Sequence, residues 1–339
     1  MKRRLAAEWE PQSAIQFTFP HADSDWASVL EEVSHCFAEI ITVISQYEKV
    51  IVVCRDSKEI RPFLNKAKKE NILFFEIASN DSWARDHGGI TVEENGNKAL
   101  LDFDFNGWGN KFPAQLDNQI TEKLYETGIF RVNTLYKPGF ILEGGSIESD
   151  GQGTILTTAF CQLSPERNPH LQKKDIENQL QYWLGAEKVL WLHHGYLSGD
   201  DTDSHIDTLA RFCNTFTIAY VQCTDNNDEH FHELSMMENE LKAFRQKNGQ
   251  PYQLIPLPMP DACYDKEKNR LPATYANFLI TNQVVLVPTY GVKQDKIALE
   301  ILAGCFPDRK ILGIDCRPLI LQHGSLHCIS MQYPSGVVK

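Results

Sequence analysis

The chain has 339 residues, 42% of them hydrophobic and 23% charged, with a formal net charge of −12 at pH 7. That acidic balance argues against nucleic acid, whose phosphates demand a basic surface, and against anionic membranes, and it suits a small cationic substrate. Met1-Lys2-Arg3-Arg4 leads into no apolar signal-type stretch, and no apolar run is long enough to span a bilayer, so the expectation is a cytoplasmic protein without membrane association.

Helices and strands alternate along the chain. Trp26, Val29, Leu30, Val33, Phe37, Ile40, Ile41 and Ile44 recur at helical spacing and predict an amphipathic helix over about 25–47. Val50 to Val53 and Ile72 to Phe75 read as short buried strands. A second helix runs through Ile176, Leu180, Trp183 and Leu184 and is followed by a strand from Val189 to Leu192. A third helix, about 230–246, precedes a strand from Tyr252 to Ile255. Phe278-Leu279-Ile280 and Val284 to Val287 flank Thr281-Asn282-Gln283, the pattern of a hairpin turn. A last helix near 293–303 leads to a strand from Lys310 to Ile314. No Pro/Gly/Ser-rich linker divides the chain, so the whole length reads as one α/β domain of similar modules. Periodicity does not separate a doubly wound sheet from a propeller of such modules.

Nine cysteines without a Cys-x-x-Cys pair point to reduced thiols rather than a disulfide framework. Cys36, Cys54, Cys213, Cys223 and Cys305 lie in apolar runs and read as small buried hydrophobes. Cys328 differs, because it follows His327 in a Gly/Ser-containing turn near the end of the chain. The polar groups that could use a thiolate lie far upstream. Asn80 to Gly89 carries Asp81, Arg85, Asp86 and His87 around Trp83 and reads as a loop at a strand end. Glu143-Gly144-Gly145 breaks an apolar run, and its glycines permit a turn or a close approach. Asp200-Asp201-Thr202-Asp203 precedes His205-Ile206-Asp207, and an extended backbone there would put His205 and Asp207 on one face.

These segments hold what a thiol enzyme needs. A cysteine must lose its proton to attack, and an imidazole or a cationic substrate favours that loss. Carboxylates beside the sulfur would oppose it unless the substrate itself brings positive charge. A guanidinium is such a cation and pairs with carboxylates through parallel hydrogen bonds. Each segment also has an ordinary reading: Cys328 as a buried hydrophobe, Asp86 beside Arg85 as an ion pair or turn cap, Asp200 to Asp203 as a solvated turn, Glu143 as a turn cap, and His205 as a core histidine. His35, His193, His194 and His323 take the ordinary reading alone.

Taken together and in order, the motifs resemble the agmatine deiminase and bacterial-type peptidylarginine deiminase family of the guanidine-modifying pentein superfamily. The resemblance runs from Phe19-Pro20-His21 and Asp25-Trp26 to Cys328. It rests on Asn80 to Asp86, Asp104-Phe105-Asn106-Gly107-Trp108-Gly109, Leu142 to Ser146, Asn168-Pro169-His170, Gly199 to Asp207, Tyr275-Ala276-Asn277-Phe278 and His327-Cys328-Ile329. It implies a five-bladed, pseudo-symmetric α/β propeller of ββαβ-type modules with the site in a central channel. It implies Cys328 as nucleophile, His205 as general acid and base, and Glu143 as a carboxylate working with that histidine. Asp86 and Asp207 would clamp the guanidinium, and Trp83 would stand near the substrate entrance. Trp108 lies in a family motif to which the resemblance assigns no definite role.

The implied reaction is hydrolytic deimination through a covalent thiouronium on Cys328, converting agmatine to N-carbamoylputrescine and ammonia with no metal or other cofactor. Peptidyl-arginine or another guanidino compound is the alternative substrate. Two motifs depart from the family pattern: Arg85-Asp86-His87-Gly88-Gly89 lacks the usual final proline, and His323-Gly324-Ser325-Leu326-His327-Cys328 stands where the agmatine branch often has Gly-Gly-Asn-Ile-His-Cys. Readings of another class are a non-catalytic pentein binding protein and a metal hydrolase built on His205, Asp207 and His327, with or without Cys328. Self-association as a homo-oligomer is left open by the sequence.

Overall fold

The computed structural model describes residues 2–339 as five separate sheets. Four of them repeat one plan. A hairpin supplies two antiparallel strands, a helix crosses over, and a third strand joins parallel to the second. Thus Ala210–Asn214 pairs antiparallel with Thr217–Gln222, the chain crosses through the helix Phe231–Ala243, and Gln253–Pro258 runs parallel to Thr217–Gln222. Leu279–Ile280, Val284–Thr289, the helix Gln294–Cys305 and Lys310–Asp315 follow the same plan. So do Ile147–Ser149, Thr154–Thr158, the helix Lys173–Leu184 and Lys188–Leu192. Ile90–Glu94, Asn97–Leu101, the helix Ile120–Glu126 and Leu135–Tyr136 form the fourth, with Arg3–Leu5 added at its edge. A parallel pair needs such a crossover because its two strands start at the same end of the sheet.

The fifth sheet joins the two ends of the chain. Ser330–Pro334 pairs antiparallel with Gln12–Thr18, and Lys49–Cys54 and Ile72–Glu76 complete it in parallel. The C-terminal strand therefore fixes the turn bearing Cys328 against the first strands of the chain.

The predicted elements are present with shifted ends. The first helix begins as a 3₁₀ turn over Ala27–Val29 and becomes α-helical at Leu30–Ser45. Its face of Phe37, Ile40, Ile41 and Ile44 is fully buried, so Ile41→Ala is expected to cost roughly 2–5 kcal/mol. The third helix ends at Ala243, because Phe244 is already extended and Arg245 bridges to Pro251. The hairpin through Thr281-Asn282-Gln283 forms as expected. Cys36, Cys54, Cys213 and Cys223 are buried, but Cys305 is half-buried, because it is the last residue of its helix. All nine cysteines are free thiols, and no helix among the described residues is long and apolar enough to cross a membrane.

Candidate active site

Asp86 is not in an open loop. Ala84–His87 forms one helical turn, and the Arg85 N–H donates to the Cys328 carbonyl at 3.1 Å, which ties this turn to the cysteine. The preceding segment is pinned by Asp117, whose Oδ1 accepts from the Asn80 N–H, and by Trp26, whose Nε1 donates to Ser82 Oγ at 2.8 Å. Asp86 Oδ1 accepts from the Gly145 N–H at 2.9 Å and Oδ2 from Trp108 Nε1 at 3.0 Å. Neither partner is the neighbouring Arg85, which pairs with Glu8 instead.

Nor are His205 and Asp207 aligned by an extended strand. Ile206–Thr208 is a 3₁₀ turn, and the two side chains converge through that turn. The approach is controlled by Asp200, which accepts from Thr202 Oγ1 at 2.6 Å and the Ser204 N–H at 2.6 Å. Asp203 and Ser204 both have left-handed backbone (φ 65° and 63°), an unfavourable state for such residues that these contacts hold in place. Asp200 to Asp203 is therefore an internally bonded loop, and not a solvated turn.

Gly145 is the point around which the site closes. A Cβ there would lie 2.7 Å from His205 Nδ1, 2.9 Å from Asp86 Oδ1 and 3.0 Å from Asp207 Oδ2. Three side chains from two distant segments meet where only glycine fits. His205 Nδ1 is 3.7 Å from Asp86 Oδ1, and Cys328 Sγ is 3.6 Å from Asp207 Oδ2. All four side chains are buried.

The electrostatics follow from that crowding. Burial raises Asp86 to about 6, partly offset by His205 and reinforced by Asp207 and Glu143. Burial opposes charge on His205, but Asp86 and the neighbouring anionic groups outweigh it and raise the imidazole to about 10. Burial, then Asp207 and Asp86, push the Cys328 thiol well above its ordinary value. The thiol is therefore protonated until positive charge is placed beside it.

Glu143 is fully engaged. Arg167 Nε reaches both of its oxygens, at 2.8 and 2.9 Å, and Arg167 also bonds Asp203 and the Thr202 carbonyl. His205 Nε2 lies 4.0 Å from Glu143 Oε2, so the carboxylate acts on the imidazole through its field. Cys161 Sγ stands 3.9 Å from the same oxygen. Glu143, Cys161 and His205 are close enough together to hold a metal ion, the only such group among the described residues, but a cation there would compete with the Arg167 guanidinium for Glu143.

Trp83 and Trp108 both line a cleft of about 440 Å³ that reaches Asp86 and Cys328. The Trp83 ring packs against Gly324, where a Cβ would sit 2.1 Å away. His323, read from sequence as an ordinary residue, also lines the cleft and bonds the Gly199 carbonyl at 2.7 Å.

Sequence reasoning missed three contributors. Asn277 Nδ2 lies 3.2 Å from Cys328 Sγ and donates to the Asp207 carbonyl, while Oδ1 accepts from the His327 N–H. Arg167 adjoins the Asn168-Pro169-His170 motif, and Glu8 lies in the N-terminal strap. Asn277 was visible only as a motif member. Neither arginine nor glutamate announces a distant partner by its spacing.

The family described as Porphyromonas-type peptidyl-arginine deiminase matches residues 4–334. A Marinomonas sp. protein provisionally named an agmatine deiminase is 35% identical, over 98% of this chain and 94% of its own. A Porphyromonas gingivalis structure, provisionally described as an arginine deiminase, superposes with a TM-score of 0.96 at 52% identity over the full length of both chains. A C. jejuni agmatine deiminase with substrate bound gives 0.92 at 40% identity, covering 98% of this chain and 97% of that one. A dimethylarginine dimethylaminohydrolase, at 0.50 and 11% identity over 95% of this chain and all of its own, shares the pentein fold alone. By sequence over nearly its whole length and by structure, this chain belongs to the Porphyromonas-type peptidyl-arginine deiminase family.

Proposed function

We propose that this protein deiminates a small guanidino compound, with agmatine giving N-carbamoylputrescine and ammonia. One observation carries the reading: Asp207 Oδ1 is a buried acceptor without a hydrogen-bond partner, beside the Cys328 thiol. A buried polar group left unpaired costs roughly 1–3 kcal/mol, and a bound guanidinium, which carries only donors, would supply the partner that Asp207 Oδ1 lacks. Asp86 and Asp207 then hold the guanidinium plane, and its charge offsets their effect on the thiol.

With Cys328 ionised by that charge, the sulfur attacks the guanidinium carbon. The His205 imidazolium gives its proton to one nitrogen, the C–N bond breaks, and ammonia leaves a thiouronium on Cys328. Neutral His205 next takes a proton from water, whose oxygen attacks the same carbon. Collapse breaks the C–S bond, and the hydroxyl proton of the ureido product passes to the departing thiolate, which restores the thiol that gave its proton to solvent when the substrate bound. Glu143 favours the imidazolium by its charge. Trp108 fixes Asp86, and Trp83 forms a wall of the entrance.

The cleft favours agmatine over a peptide. Asp25, Asp81 and Asp201 line it outside the catalytic carboxylates, a field that suits the free amine of a short diamine-like chain. Aromatic walls from Trp83, Trp108 and Phe112 suit its methylenes. The relatives' names also include arginine and peptidyl-arginine deiminases, so the test is a panel of agmatine, free arginine and a peptide-arginine substrate read by ureido product. Turnover of the peptide but not of agmatine would overturn the substrate assignment.

The five sheets of similar plan, one of them closed by both chain ends, support a five-bladed α/β propeller working as a single catalytic domain over 1–339. Site residues drawn from segments near 86, 143, 205 and 328 support the same reading. A crystal structure whose five sheets do not surround one axis would sink it.

A further inference from the structure

Asp207 is braced from behind by a buried imidazole. Its Oδ2 lies 2.8 Å from His327 Nδ1, and His327 Nε2 lies 2.7 Å from Glu8 Oε1. His327 is fully buried. Glu8 is held in turn by Arg85 Nη1 at 3.1 Å, by Arg211 and by Gln332 Nε2 at 3.0 Å. Arg211 is anchored on Glu148 at 3.0 Å. A strut thus runs from the N-terminal strap through His327 to a clamp carboxylate.

Two carboxylate oxygens face the two ring nitrogens. A neutral imidazole has a single N–H, so both contacts are satisfied only by an imidazolium or by a neutral ring with one carboxyl protonated. Making both contacts at once takes one proton more than a neutral ring between two carboxylates carries, whereas the N–H of a neutral ring at Nδ1 suffices for Asp207. Burial, then Arg211 and Arg85, outweigh the pull of Glu8 and Asp207 and lower the imidazole below its ordinary value. Burial opposes ionisation of Asp207, but the His327 hydrogen bond prevails and holds that carboxyl below its ordinary range. The other charged or titratable groups facing Asp207 are His205 on its own segment, Asp86, Cys328 and Arg211. Glu8 also lines a second cavity of about 620 Å³ together with Arg85, Gln12 and Gln332, so the Glu8 end of the strut faces open space.

We infer that His327, braced by Glu8, is a positioning residue for deimination: it holds Asp207 ionised and turned so that its unpartnered Oδ1 faces the guanidinium. This rests on the deiminase reading above. His327 has a hydrogen-bonding role separate from its place beside the nucleophile.

Gln and Asn substitutions separate the two ends of the strut. Asn at 327 can place its amide nitrogen near the Nδ1 position and keep the Asp207 contact. Gln reaches toward Glu8 and loses it. His327→Gln is expected to raise KM for agmatine roughly 10- to 100-fold, the cost of a hydrogen bond to a charged group, with a smaller fall in kcat. Without its donor Asp207 ionises less readily, so a second carboxyl joins Asp86 in the acid limb of the variant's kcat/KM profile, which steepens and moves to higher pH. His327→Asn recovers most of both effects. Glu8→Gln, which leaves the ring an acceptor, gives a smaller shift in the same direction and stands in if a His327 variant fails to fold. Wild-type turnover is the control. If wild type deiminates none of the panel substrates, the deiminase reading falls and this one with it. If wild type is active and the folded variants keep its KM and acid limb, or lose kcat alone without a pH shift, the strut has no positioning role.

Discussion

Trp108 donates its indole N–H to Asp86 Oδ2 at 3.0 Å from a backbone held in the left-handed region (φ 56°). Gly107, Gly109 and Asn110 around it also have positive φ, so the loop is bent to aim this one ring. Strain of this kind costs roughly 1–3 kcal/mol per residue and persists where the surroundings enforce it. Trp108→Phe keeps most of the aromatic packing and removes the donor. It is expected to raise KM for the guanidino substrate roughly 10-fold or more, as for loss of a hydrogen bond to a charged group. Steady-state kinetics with unchanged thermal stability would confirm it, and an unaltered KM would refute the role given to Trp108.

Cys328→Ser should retain the fold and lose turnover by roughly 10³-fold or more, since an alcohol at this site lacks both the acidity and the nucleophilicity of sulfur. Ureido-product formation measures the loss. Near-normal activity would remove Cys328 from the mechanism.

The acid limb of activity should reflect Asp86. Its value of about 6 lies above the ordinary carboxylate range, so kcat/KM should fall as pH drops through about 6 and the clamp is neutralised. The stability contribution of this raised carboxyl runs the other way: it is full below the ordinary value of 3.8 and lost as pH rises through about 6. His205, raised to about 10, contributes stability that is full below 6.5 and lost as pH rises through about 10. A kcat/KM profile flat down to pH 4 would contradict the assignment of Asp86.

The free thiol should be sluggish. With Cys328 pushed well above 9, alkylation by iodoacetamide in the absence of substrate should keep rising with pH through 9 without a plateau. Measured rates that level off near neutral pH would mean that the resting enzyme already holds a thiolate.

Arg167→Met should be among the most damaging substitutions outside the reacting groups. It leaves Glu143 buried without its guanidinium and Asp203 with Lys111 alone, and breaking a buried pair this way costs roughly 3–5 kcal/mol. Chemical denaturation would show the loss directly. Arg167→Lys should recover part of it, because the charge returns without the two-oxygen contact.

Much of this protein is legible in its sequence because the signals are local. Apolar spacing gives the helices and buried strands, since each must cover one face or lie within the core. The motif residues Cys328, His205, Asp86, Asp207 and Glu143 are recognisable by type and order. Their geometry is not. An extended trio would have aligned His205 and Asp207, yet a 3₁₀ turn brings them together, because Asp200 bonds the loop into left-handed conformations that no local propensity favours.

What only the tertiary structure decides is which distant groups share a dry space. Glu8 and His327 are 319 positions apart, and Arg167 and Glu143 are 24 apart. Nothing in the spacing of either pair marks it. Such pairs form because a buried charge must find an opposite charge or a hydrogen-bond partner, and the partner available is set by how the sheets close on one another. The sequence by itself determined the chemical inventory and the modular α/β plan; the packing decided that Gly145 would be the space in which imidazole and carboxylates meet beside the thiol.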